Sequence, residues 1–98
     1  MWFGWIEFDV LLGDVHSLKA KRALVRPVLA EMRRRFEVSV AETSHQDLHR
    51  RAGLSAGVVA AEAAHVIEVL DAVERLVADR PEIELLSARR RLHSSEDE

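Results

Sequence analysis

The sequence predicts an α+β two-layer sandwich with elements in the order β-α-β-β-α-β. Three observations carry that expectation. The hydrophobic pattern switches between a two-residue and a 3.6-residue period in that order. The length of 98 residues suits one domain with one core. Finally, 48% apolar against 32% charged residues is an ordinary globular balance.

The first strand spans Trp2 to Leu12. Trp2, Ile6, Phe8, Val10 and Leu12 share one parity and point to the core; Phe3, Trp5, Glu7, Asp9 and Leu11 take the other face. Gly13 to His16 form a turn, and Ser17 is suited to cap the helix that follows. That helix covers 18–35, with Leu18, Val25, Val28, Leu29, Met32 and then Phe36 at helical spacing. Pro27 lacks the N–H that would bond the carbonyl of Ala23, so a kink, or a helix in two pieces, is expected.

Alternation resumes from Phe36 to Thr43, a polar loop follows at Ser44 to Asp47, and a small-residue strand covers Ala52 to Ala61. Gly53 and Gly57 thin one face of that strand, for close packing or for a bulge. The second helix runs from Glu62 to Asp79, with Val66, Ile67, Leu70, Val73 and Val77 as its buried stripe, and Pro81 stops it. A last strand covers Glu82 to Leu92, and residues 93–98 are expected to be a disordered acidic tail. Two βαβ crossovers in one sheet give the ferredoxin-like βαββαβ topology. Its four-stranded antiparallel sheet carries both helices on one face and leaves the other face open. Residues 1–92 form that single domain.

Composition excludes several functions. With no cysteine, disulfides, zinc–thiolate sites and thiol catalysis are ruled out. The N-terminal residues lack a basic leader region and carry Glu7 and Asp9, and no apolar run approaches the roughly 20 residues that span a bilayer. A cytoplasmic protein without a membrane partner is expected. The net charge is −3, yet Lys19, Lys21, Arg22, Arg26, Arg33, Arg34 and Arg35 crowd one segment opposed only by Glu31.

The runs Ser17-Leu18-Lys19-Ala20-Lys21-Arg22, Arg33 through Glu42 (RRRFEVSVAE) and His45-Gln46-Asp47-Leu48 resemble the YlxP-like bacterial proteins. Their patterns are S-L-K-x-K-R, R-x-x-F-N-V-S-V-A-E and H-Q-D-L-W-Q-R, and order and spacing agree over nearly the whole chain. The resemblance implies a ferredoxin-like fold. It also implies a genomic context of translation initiation and ribosome maturation. The chain departs from the pattern at His49, where tryptophan is usual, at Glu37, where asparagine is usual, and at Pro27 in a helix usually free of proline.

Four features invite a functional reading. Cations at Arg33 to Arg35 are favoured by a helix C-terminus without any ligand. Lys19, Lys21, Arg22 and Arg26 stand near the N-terminus, where the dipole disfavours cations and free N–H groups attract anions. The segment therefore offers a nucleic-acid or anion surface, at Lys19, Lys21, Arg22, Arg26, Arg33 and Arg34, against the plainer alternative of a solvated face. The loop residues His45, Gln46 and Asp47 are expected to structure the turn or to touch a partner; His45 and His49 would converge on a metal only on a helix. Phe3, Trp5 and Leu11 on the open sheet face suggest a homodimer interface rather than a base-reading sheet, since the third strand has no aromatic and Glu7 and Asp9 would repel phosphate. Of Arg89, Arg90 and Arg91, only two can share one face, and they serve equally as an edge device against aggregation.

No phosphate loop, nucleophile elbow, zinc-helix motif or carboxylate pair is present. No catalytic residue, metal or cofactor is assigned. The expectation is a non-enzymatic protein that binds RNA or the small ribosomal subunit, with a homodimeric interaction module as the alternative.

Overall fold

The computed structural model describes residues 1–96. Its elements are β1 (Trp2–Leu12), α1 (Leu18–Arg35), β2 (Ser39–Ser44), β3 (Arg51–Ala60), α2 (Ala63–Ala78) and β4 (Ile83–Ser94). The strands form one antiparallel sheet in the order β2-β3-β1-β4, the ferredoxin-like arrangement. Parity does the sorting. Ile6, Phe8, Val10 and Leu12 of β1, with Ala52, Leu54, Ala56 and Val58 of β3, are buried against Val25, Val28, Leu29 and Met32 of α1 and Val66, Leu70, Val73 and Val77 of α2. Each of these side chains larger than alanine contributes roughly 1.5–3 kcal/mol by leaving water.

Local chemistry sets the ends. Ser17 caps α1, its hydroxyl accepting from the Ala20 N–H at 3.0 Å. Gly4 is required where β1 passes under α2: a Cβ there would stand 2.8 Å from both the Arg91 carbonyl and a methyl of Val66.

Five expectations need correction. The alternative of a first helix in two pieces does not hold: α1 is one continuous element through Pro27, whose side chain is exposed. Leu18 and Ile67 are exposed, and Leu76 joins the α2 stripe in place of Ile67. β2 starts at Ser39, because Phe36 ends α1 with its N–H on the Met32 carbonyl at 3.0 Å. Of the expected tail, His93 and Ser94 belong to β4 and the Ser95 N–H bonds the Met1 carbonyl at 2.9 Å, so β1 extends order to the C-terminal residues; Asp97 and Glu98 lie outside the described residues. Lastly Lys21, expected at the surface, is buried.

Candidate nucleic-acid interface

Two cation sets share α1, and helical spacing separates them. At about 100° per residue, Lys19, Arg22, Arg26 and Arg33 fall within about 60° of one another on a stripe about 21 Å long. All four are exposed. Among the described residues, Lys19, Arg22, Arg26 and Arg34 are in no ion pair; Arg33 reaches the Val40 carbonyl at 3.4 Å and Arg35 pairs with Glu31 at 3.3 Å. Glu31 also binds Arg80, so the lone acid of α1 faces away from the stripe.

Lys21 does not belong to that surface. It stands four residues before Val25 and seven before Val28, on the apolar side, and is 2% exposed. Its Nζ lies 2.7 Å from Glu42 Oε2 and donates to the His45 carbonyl at 2.7 Å. A buried ammonium needs such partners, and here they tie the first turn of α1 to the end of β2. The spacing of Lys21 with Val25, Val28 and Met32 is the sequence signal that reveals this.

The loop after β2 is built around that tie. His45 adopts φ 56°, the left-handed region that costs a non-glycine residue about 1–3 kcal/mol and that histidine enters more readily than most. Gln46 folds back to donate to the Glu42 carbonyl at 2.9 Å, the Leu48 N–H bonds the His45 carbonyl at 3.1 Å, and Asp47 is exposed. The loop is a turn, with no helix to bring His45 and His49 together. Among the described residues no group of three or more His, Asp or Glu side chains is placed to hold a metal ion.

Instead the turn sends the His45 ring across the sheet to β1, where Nε2 is 3.8 Å from Asp9 Oδ1. Arg51 grips the same carboxylate with both ends of its guanidinium, Nε donating to Oδ1 at 3.0 Å and Nη2 to Oδ2. Those hydrogen bonds hold the Asp9 carboxyl below its usual range; partial burial opposes them, and the charges of Arg51, His45 and Arg89 add to them.

The open face therefore has two parts. Phe3, Trp5 and His93 form a cluster of nearly parallel rings with centroids 5.5–6.4 Å apart. The third aromatic comes from β4, in the stretch expected to be tail. Beyond it Glu7, Asp9, Arg51 and Arg89 form a charged band, and Leu11 lies past the band, paired across strands with Arg51 and Glu84. Phe3 and Trp5 come together, but Leu11 does not join them. Arg89 and Arg91 take the open face, whereas Arg90 turns to α2 and pairs with Asp71 at 2.8 Å and Glu74 at 2.9 Å. Arg89 and Arg91 thus lie on the opposite side of the sandwich from the α1 stripe. Sequence reading missed the Asp9–Arg51 pair, which depends on strand register.

Residues 3–90 match the sequence model of the family described as Protein of unknown function (DUF503). The chain belongs to this family. It is also 30% identical over 81 residues to the uncharacterized protein YlxP of Bacillus subtilis (strain 168), an alignment covering 83% of this chain and 88% of that relative. Among the described residues no helix is long and apolar enough to cross a membrane.

Proposed function

We propose that this DUF503 protein is a non-enzymatic RNA-binding factor that engages the phosphate backbone through the outward face of α1. One observation carries the reading: Lys19, Arg22 and Arg26 are aligned, exposed and, among the described residues, without ion-pair partners in a chain of net charge −3, whose arginines at 51, 80 and 90 are all paired with acids. The small ribosomal subunit is the target to try first, given the genomic context that the family resemblance implies. Such binding releases counterions and weakens steeply with salt. In a salt titration of subunit and bulk-RNA binding, the triple variant Lys19→Glu, Arg22→Glu, Arg26→Glu should lose affinity. The slope of log K against log salt should become shallower by about 2, the share of three single-strand phosphate contacts. An unchanged slope would reject the stripe as the contact.

A second reading is association of two copies through the ring cluster. Phe3, Trp5 and His93 leave aromatic surface on an uncovered sheet face, and Val59 beside them is 67% exposed. Sedimentation decides it: Trp5→Glu should convert dimers into monomers, and an unchanged mass would remove these rings from the interface.

A further inference from the structure

The charged band of the open face lies where the irregularities of the sheet coincide. The β1–β4 register shifts between Asp9 and Val10, and the β2–β3 register shifts between Glu42 and Ser44. Both shifts border the row Ser44, Gly53, Asp9, Ser87, and bulges of this kind re-aim side chains. Gly53 completes the row, since a Cβ there would fall 1.7 Å from the Ser44 hydroxyl. His45 follows in its left-handed conformation, its carbonyl held by Lys21. Together these features shape a cavity of about 250 Å³ lined by Glu7, Asp9, Thr43, His45, Ser87 and Arg89.

The polar groups of this cavity divide into those satisfied within the chain and those open to a ligand. Both oxygens of Asp9 are bound by Arg51. The hydroxyls of Thr43 and Ser55 bond each other at 2.5 Å. Glu7 and Arg89, directly across from one another in the β1–β4 register, are both exposed, and among the described residues neither is in an ion pair. The cavity therefore offers a carboxylate acceptor beside a guanidinium donor, with the His45 ring at its rim. That arrangement suits a group presenting an anion and a hydroxyl donor at adjacent positions. A ribose-phosphate unit does so, its phosphate accepting from Arg89 and His45 while its 2′-hydroxyl donates to Glu7. The cavity is on the open face and the α1 stripe on the helix layer; the loop that carries His45 connects the two layers, because Lys21 ties the first turn of α1 to the His45 carbonyl while the His45 ring lines the cavity.

We infer that this cavity takes one ribose-phosphate unit of an RNA strand that passes from α1 around the His45 loop to the open face, and that it gives the protein its preference for RNA over DNA. The inference rests on the RNA reading above and deepens it. Phosphate contacts along α1 treat RNA and DNA alike, whereas the Glu7 acceptor distinguishes them.

The test uses one fluorescently labelled single strand made as RNA and as DNA, with uracil in both, titrated by anisotropy. The native protein should bind the RNA about ten-fold more tightly, the size of one hydrogen bond to a charged acceptor. Glu7→Ala should bring RNA down to the DNA level without weakening DNA. Arg89→Gln should weaken both strands, and His45→Asn, which keeps the left-handed backbone, should weaken them further. Both Glu7 and Arg89 are exposed, so folding is not at stake in their variants. Equal binding of RNA and DNA that still depends on Lys19, Arg22 and Arg26 would overturn this inference and leave the α1 reading standing. An RNA preference that survives Glu7→Ala would overturn it as well. Absence of binding to either strand would overturn both.

Discussion

The two helices lie side by side on one sheet, yet they treat their outward charges in opposite ways. α1 carries a line of cations that have no ion-pair partner among the described residues, whereas α2 presents Glu68, Asp71 and Glu74 and has the last two bound by Arg90 of β4. The acids of α2 thus act within the molecule, joining helix to strand. Among the described residues the exposed cations of α1 have no ion-pair counterpart apart from Arg35 on Glu31, and Arg33 makes only a weak contact with a carbonyl; Lys21 alone is turned inward to Glu42. A solvated face explains charge on both helices, but of the two, α1 alone combines one sign, one stripe and, among the described residues, no ion-pair partner along it. That contrast makes α1 the surface to test.

The comparison breaks most sharply at Lys21, where α1 itself contains a cation of the other kind. Lys21→Ala should cost roughly 3–5 kcal/mol, read as a lower urea midpoint, because it leaves Glu42 without its buried partner and the His45 carbonyl without its donor. Lys19→Ala, two residues away and exposed, should change stability by less than about 0.5 kcal/mol. Equal costs would mean that the two lysines share one environment. A charge change on the other helix sharpens the same contrast: Glu68→Lys on α2 should leave the salt slope of RNA binding unchanged within error. A response as large as that of the α1 variants would show attraction to net charge alone, without a defined stripe.

The smallest effect concerns the band on the open face, where charge is again paired. The carboxyl pKa of Asp9 is depressed in the folded chain by Arg51, so the stabilisation is complete above its ordinary value of 3.8 and fades as pH falls through the lowered folded value. Thermal unfolding of Asp9→Asn should therefore lie below that of the native protein at neutral pH, and the two should converge at the acid end. A difference that persists at low pH would assign the loss to packing.

The order and type of all six elements were determined by the sequence, because local periodicity follows directly from which side chains a strand or helix must bury. So was the division of β1 into a core face and an open face. The α1 stripe was equally legible: the spacing of Lys19, Arg22 and Arg26 is a property of any helix. Lys21 was legible in part, since it stands in register with Val25, Val28 and Met32, but only the fold brings Glu42 and the His45 carbonyl to it across two elements. Ile67 and Leu76 show the same limit, because an apolar stripe is wider than the surface a sheet can cover and docking decides its edge. The Asp9–Arg51–His45 constellation was decided entirely by tertiary structure. It joins β1, β3 and a loop through strand register and two bulges, and register is set by pairing between distant segments rather than by any local pattern.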